Sequence, residues 1–316
     1  MTRVAAFDCG TNSLRLLIAD LDPRTGEMSE LVREMRIVRL GQGVDRTGRI
    51  SEESMARTFA ALDEYAALVA EYLPTLVRFC ATSAARDAAN AADFMAGVKE
   101  RLGVEPEILD GDEEARASFA GVTRVLGDVD GPVLVVDIGG GSTELILGDP
   151  TGLDHQAGTV AQSLDIGSVR MTERHLHDDP PTPAQVVELC ADVDAVLDGC
   201  RVDPSLARTV VGVAGTVTSV AAGALNLPAY DRERIHLARL SRDLVHATVD
   251  DLVAMSVAER RTLGYLHPGR ADVIGAGALI LDRLLQRTTV DELVVSESDI
   301  LDGIAWSCVE TAQEGS

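Results

Sequence analysis

The sequence predicts an α/β protein made of two similar halves, and two observations carry that expectation. The stretch 133–148, Val-Leu-Val-Val-Asp137-Ile-Gly139-Gly140-Gly141-Ser142-Thr143-Glu144-Leu-Ile-Leu-Gly, reads as two short apolar strands joined by a glycine loop. An echo stands near the N-terminus, where Val4-Ala-Ala-Phe-Asp8-Cys-Gly10-Thr11-Asn12-Ser13-Leu-Arg-Leu16-Leu-Ile-Ala-Asp20 aligns with it at an offset of 129 residues. The two match at Val4/Val133, Asp8/Asp137, Gly10/Gly139, Ser13/Ser142, Leu16/Leu145 and Asp20/Asp149. Chance turns do not copy their flanking strands. The pair therefore implies two similar halves, each with its own loop, facing one cleft.

Apolar runs bounded by turn residues place strands over 4–9, 14–20 and 28–34, the last after a turn at 22–26. A loop rich in Gly and Arg over 36–48 leads to Ser51, which with Glu53 and Ser54 opens a long helix reaching about residue 72. Its apolar positions Met55, Phe59, Leu62, Ala66 and Val69 recur at helical spacing. A strand over 76–81, a helix to about 102, a short strand over 105–109 and a helix over 112–126 complete the first half. The Asp-Val-Asp-Gly-Pro run at 128–132 is a breaker, so the expected domains are 1–127 and 128–316. The second half opens with strands over 133–137, 143–148 and about 156–164. Helices follow over 168–175 and 183–199, the second with Thr182 as N-cap and Pro183 in its first turn. Residues 209–219 read as strand, glycine turn and helix; helical segments continue to 286, a strand covers 292–296, and a closing helix starts at Asp299.

Composition narrows the function classes. With 316 residues, 46% of them apolar, the chain is long enough for two domains with their own cores; aromatics are scarce, so packing rests on Val, Leu and Ala. Fifty-one acidic against 28 basic residues give a net charge of −23, which argues against a nucleic-acid polymer or a membrane surface as partner. A polyanionic ligand would need a local arginine island or a metal site. No run approaches the roughly 18 apolar residues of a membrane span, and the start lacks the pattern of a secretory signal. The five scattered cysteines show no CxxC spacing, which fits reduced thiols and a cytoplasmic location.

The loops suggest phosphate chemistry. Glycine permits close backbone approach, so successive N–H groups of Gly10, Thr11, Asn12 and Ser13, and of Gly139, Gly140, Gly141, Ser142 and Thr143, can converge on an anion while hydroxyls add donors at the rim. Asp8 and Asp137 cannot face phosphate directly and are suited to hold Mg²⁺, with phosphate oxygens completing the octahedron. Taken singly, each loop also reads as an ordinary hairpin turn. Gly215 and Thr216 form a third candidate contact at a helix N-terminus, with a plain strand-to-helix turn as the equal alternative.

The order Asp8-x-Gly-Thr-Asn-Ser13, Ala-Thr-Ser-Ala-Ala-Arg86, Asp110-Gly-Asp-Glu-Glu114-Ala-Arg116, Asp137-Ile-Gly-Gly-Gly-Ser-Thr-Glu144 and Val213-Ala-Gly-Thr216 resembles the exopolyphosphatase and guanosine pentaphosphate phosphohydrolase family. The late stretches Pro268-Gly-Arg-Ala-Asp-Val-Ile274 and Val295-Ser-Glu-Ser-Asp-Ile-Leu-Asp-Gly303 extend the resemblance over nearly the whole chain. It implies the duplicated ribonuclease-H-like fold of the actin, sugar kinase and heat-shock ATPase superfamily. It also implies Mg²⁺-dependent hydrolysis of a terminal phosphoanhydride, with the catalytic glutamate at Glu114 and a phosphate-binding arginine at Arg86. A carboxylate at a helix start can orient a water and accept its proton; first-turn acids that favour the helix dipole are the alternative for Glu113 and Glu114. Glu144 and Asp137 look like metal or water-positioning carboxylates, with a solvated strand Glu and a turn Asp as the alternatives. Arg36 and Arg39 are candidate polyanion contacts, or solvated surface residues.

Longer family members carry further helical C-terminal domains that this sequence does not match, so short chains are the expected polymer. The six histidines show no metal spacing beyond His175-x-His177, which reads as a polar helix end. The leading expectation is an exopolyphosphatase acting on inorganic polyphosphate. Guanosine pentaphosphate is the neighbouring substrate, a nucleotide-binding regulator the non-catalytic alternative, and a sugar or acetate kinase a third. A homodimer is compatible with all of these.

Overall fold

The computed structural model describes residues 1–150 and 159–314. In chain order the elements are β1 (Thr2–Cys9), β2 (Ser13–Asp22), β3 (Glu27–Ile37), α1 (Val44–Thr47), α2 (Glu52–Tyr72), β4 (Leu76–Ala81), α3 (Ser83–Arg86), α4 (Ala91–Leu102), β5 (Glu107–Ile108) and α5 (Gly111–Thr123). Then come β6 (Val133–Ile138), β7 (Thr143–Gly148), β8 (Val160–Leu164), α6 (Ser168–His175), α7 (Pro183–Asp198), β9 (Thr209–Val213), α8 (Ala214–Ala224) and α9 (Arg232–Ile235). The chain closes with β10 (Arg239–Ser241), α10 (Arg242–Ala254), α11 (Val257–Arg260), α12 (Ile274–Leu285), β11 (Glu292–Val295) and α13 (Ile300–Glu314). Two compact units result, Met1–Gly121 with Ile300–Ser316, and Val122–Asp299.

In the first unit five strands order as β3-β2-β1-β4-β5. The β1–β2–β3 meander is antiparallel, and β4 runs parallel to β1 and β5 to β4. Period-2 alternation sends Ala5, Phe7, Cys9, Leu14 and Leu16 to one face, where Leu62, Tyr65, Phe94 and Val98 of α2 and α4 cover them. Val4, Ala6, Leu17, Ala19 and Leu21 face the other way and pack on Ile300, Leu301, Ile304, Ala305 and Trp306 of α13. That second face corrects the expected boundary. A sheet with two apolar faces needs a cover on each, and the C-terminal helix supplies one of them, so the chain returns to its first unit at Ile300 instead of keeping 128–316 together. Arg33 of β3 locks the return with a bidentate pair to Asp302, at 2.7 and 3.3 Å.

The second unit carries a six-stranded sheet, β10-β11-β9-β6-β7-β8, in which β6, β9 and β11 are parallel and β6–β7–β8 repeats the antiparallel meander. One face, including Leu134, Val136, Ile138, Leu145, Leu147 and Leu164, packs against helices through residues such as Met171, Leu189, Val217, Val249 and Ile280. Helix α7 starts as its sequence indicates, with a full capping box between Thr182 and Gln185 and Pro183 in the first turn.

Two further expectations need adjustment, and a third reaches outside the described residues. The helix expected to run to about 102 is broken between Arg86 and Ala91, because the Asn90 side chain binds the backbone of Ile50 through both its amide oxygen and nitrogen, at 2.9 and 3.0 Å. The strand β10 lies within the span read as helical; three residues paired to β11 leave too short a pattern to see. The third strand of the second half begins at Val160, and its expected start near 156 lies outside the described residues. Among the described residues no helix is long and apolar enough to cross a membrane, and all five cysteines are free thiols.

Candidate functional site

Both glycine loops are built by the same hydrogen bonds. Gly10 N–H donates to the Ser13 carbonyl at 3.0 Å, and Gly139 N–H to the Ser142 carbonyl at 3.0 Å, closing equivalent turns between β1 and β2 and between β6 and β7. In the first loop the Thr11 carbonyl accepts from Gly41 N–H at 2.8 Å, and the Asn12 carbonyl from Val38 and Arg39 N–H at 3.0 and 2.9 Å. In the second, Gly139 accepts from Ser168 at 3.0 Å, Gly140 from Val169 and Arg170 at 2.8 and 3.1 Å, and Gly141 from Arg170 Nε at 2.6 Å. A planar trans peptide points its C=O and the following N–H in opposite directions. Tying the carbonyls backwards therefore turns the amide N–H groups of Asn12, and of Gly140, Gly141 and Ser142, the other way, where an anion can meet them. Gly167 makes the second brace possible, since a Cβ there would lie 2.5 Å from the Gly140 carbonyl.

The hydroxyls behave differently from expectation. Thr143 donates to the Ile166 carbonyl at 2.6 Å and is fully buried; Thr11 is hydrogen-bonded to Ser83 at 2.7 Å and is likewise buried. Both hydroxyls brace the loops from behind, Thr143 from the first position of β7 and Thr11 from within the first loop itself. The buried Asn12 Oδ1 has no hydrogen-bond partner.

In the first unit, Arg86 and Glu114 meet directly. Arg86 ends α3, whose first residue Ser83 contacts the loop, and its Nη1 donates to Glu114 Oε2 and to the Leu109 carbonyl, both at 2.9 Å. Glu114 is 7% exposed. Its neighbour Glu113 does what first-turn acids do: Asp110 and Glu113 form a reciprocal capping pair, side chain to backbone N–H in each direction, at 2.8 and 2.9 Å. The helix start thus spends Glu113 on its own end and holds Glu114 inward on an arginine.

Asp8, a candidate metal carboxylate, is paired with an arginine of the protein. Arg15, directly opposite on β2, donates to Asp8 Oδ2 from Nε at 2.8 Å and approaches it from Nη2 at 2.7 Å, so the cation here is the protein's own. Burial, helped by the Asp8 charge, pushes the adjacent Cys9 thiol well up, which keeps it protonated. Of the two readings open for Arg36, its surroundings fit the surface one. It projects to the α2 side of the sheet, paired to Glu34 at 2.7 Å and Glu64 at 3.5 Å and lying over the Tyr65 ring, because alternation along β3 turns it away from the Arg15 face. Arg39 stays beside the loop through its backbone bond to Asn12 and adopts a left-handed φ of 52°.

In the second unit the residue opposite Asp137 is Glu144, and opposite Glu144 is Ser163. The two carboxylates are 6% and 1% exposed, and Ser163 Oγ donates to Glu144 Oε1 at 2.7 Å. Among the described residues no group of three or more His, Cys, Asp or Glu side chains forms a complete metal cage. A pair of carboxylates beside a phosphate loop nonetheless suits Mg²⁺, which commonly takes one or two carboxylates and fills its octahedron with water and phosphate oxygens.

Gly215 and Thr216 open α8, yet the left-handed residue of that turn is Ala214, at φ 64°. Thr216 packs at the α12 crossing, where a Cβ on Gly277 would come within 2.7 Å of it. The space beside Gly215 is taken by Arg270, whose guanidinium would overlap any Cβ there and whose Nη1 donates to the Gly215 carbonyl at 3.2 Å. Arg270 was not singled out in the sequence, nor were Arg15 and Ser163. Strand register could have found Arg15 and Ser163; no local signal links Arg270 to a residue so far away along the chain.

Residues 17–312 match the Ppx/GppA phosphatase family. The chain is 47% identical to Exopolyphosphatase 2 of Mycobacterium tuberculosis over 97% of its own length and 98% of that protein. It is 27% identical to the guanosine-5'-triphosphate,3'-diphosphate pyrophosphatase of Aeromonas salmonicida, over 96% of this chain and 58% of that one. A crystal structure of an exopolyphosphatase-like protein superposes with a TM-score of 0.93 at 43% identity, covering 98% of this chain and 100% of the other.

Proposed function

This chain belongs to the Ppx/GppA phosphatase family, and on that premise we propose that it is a Mg²⁺-dependent exopolyphosphatase, cleaving the terminal phosphoanhydride of short inorganic polyphosphate in the cytoplasm. The observation that carries the reading is the pair of loops whose carbonyls are tied backwards, which leaves the following N–H groups pointing the other way. In this reading the amide donors of each loop, and Arg86 in the first unit, are phosphate contacts. Glu114 orients the attacking water and accepts its proton, and the released products are orthophosphate and a chain one residue shorter. Asp137 and Glu144 are the carboxylates for Mg²⁺, which when bound neutralises charge on the phosphoryl oxygens.

Guanosine pentaphosphate is the second substrate to consider, favoured by the likeness to the Aeromonas pyrophosphatase; the same reaction centre serves either leaving group. Orthophosphate release from polyphosphates of defined length, beside guanosine pentaphosphate, with wild type and Glu114→Gln, tests the proposal. Release from short polyphosphate that the variant loses is the expected result. Tight nucleotide binding with no release from any substrate would overturn it in favour of a regulator.

A further inference from the structure

The two meanders carry equivalent rows of three residues across their strands. In the first sheet the row is Asp8, Arg15, Met35; in the second it is Asp137, Glu144, Ser163. The first row closes on itself, since Arg15 neutralises Asp8 and the third position only packs. In the second, the middle residue is a carboxylate and the third has become a hydroxyl donor within 2.7 Å of it.

We propose that Ser163 is a positioning residue for the divalent-cation site, holding the Glu144 carboxylate in the orientation that ligates the metal. This rests on reading Asp137 and Glu144 as cation carboxylates. A serine hydroxyl has one proton, and donating it in a hydrogen bond to Glu144 Oε1 restrains rotation of the carboxylate. Strand β8 also leads through Ile166 and Gly167 into the segment that braces the Gly139–Gly141 carbonyls, so one edge strand sets both the carboxylate and the loop.

The test is a Mn²⁺ titration of the whole chain followed by electron paramagnetic resonance, in the presence of inorganic phosphate, on wild type, Ser163→Ala, Ser163→Thr and Glu144→Gln. Loss of such an outer partner typically weakens metal affinity about 10- to 100-fold, which is expected for Ser163→Ala, with Ser163→Thr restoring most of it. The Mg²⁺ concentration for half-maximal activity should rise in parallel while kcat at saturating Mg²⁺ stays near wild type. Thermal melting of each variant separates this from unfolding, and Ser163→Cys, a weaker donor of similar shape, should fall between if the alanine does not fold. Unchanged Mn²⁺ affinity in Ser163→Ala, with Glu144→Gln impaired, overturns the role of Ser163 alone. No Mn²⁺ binding in wild type, or binding unchanged in Glu144→Gln, overturns the cation reading beneath it.

Discussion

Arg86 Nη1 lies 2.9 Å from Glu114 Oε2, joining a residue at the end of α3 to one in the first turn of α5. Both had been expected to serve the same reaction in separate roles, one on phosphate and one on water. The contact makes them a couple. Glu114→Gln should retain the fold and lose about 10²- to 10⁴-fold in rate, the usual range for a general base. Arg86→Ala should also be slow, and the double variant should be no slower than the worse single one, since each removal already spoils the other residue's placement. Strictly multiplicative rate losses in the cycle would show two independent groups.

Arg36 should be indifferent to polymer length. Its guanidinium is held by Glu34 and Glu64 on the α2 side of the sheet. Arg36→Ala is expected to leave Michaelis constants within about twofold over a ladder of polyphosphates, with at most about 1 kcal/mol of stability lost, as for other exposed pairs. A KM that climbs with chain length in this variant would place it on a polyanion track after all.

Removing Arg15 should be costly to the fold. The Asp8–Arg15 pair is mostly buried, with side-chain exposures of 8% and 17%, and Arg15→Ala leaves a carboxylate without its cation. Losses of about 3–5 kcal/mol are typical for breaking such a pair. Chemical denaturation checks it, and a change under about 1 kcal/mol would mean that solvent already screens the pair.

Gly303→Ala tests how the C-terminal helix is seated. A Cβ there would stand 1.9 Å from the Ala117 carbonyl oxygen, which is backbone and cannot swing aside. The helices must separate, so a loss of about 3 kcal/mol or more is expected, at the upper end for overpacking. Wild-type melting behaviour would show that α13 is not packed this closely.

His246 should contribute stability in acid and lose it toward alkaline pH. A hydrogen bond to Asp282, followed by the charges of Asp282 and Asp250, raises its pKa above the usual value. A raised native pKa means that the contribution is complete below the unfolded value of about 6.5 and disappears as pH climbs through the native one. The stability difference between wild type and His246→Ala should therefore be larger at about pH 5.5 than at about pH 8.5. Equal differences at both would remove the linkage.

The preference for Glu114 over Glu113 came from the family resemblance, while periodicity and duplication in the sequence were enough to specify the two meanders, their loops and the α7 cap. Each of these depends on residues within a few positions of one another: a strand alternates every second residue, a cap reads three ahead, and a copied loop carries its copied flanks. Contacts between distant segments were invisible there, and they decided the rest. Only packing shows that α13 covers a face of the first sheet, that the Thr11 and Thr143 hydroxyls brace their loops, and that Arg36 leans on α2. The middle of the three-residue row is a different case, in which the pairing is local but depends on strand register. Asp8 and Asp137 look identical in sequence, but Arg15 stands across from one and Glu144 from the other. Register across a sheet sets which charge a carboxylate meets, and that is a property of neighbouring strands, not of the motif that contains the carboxylate.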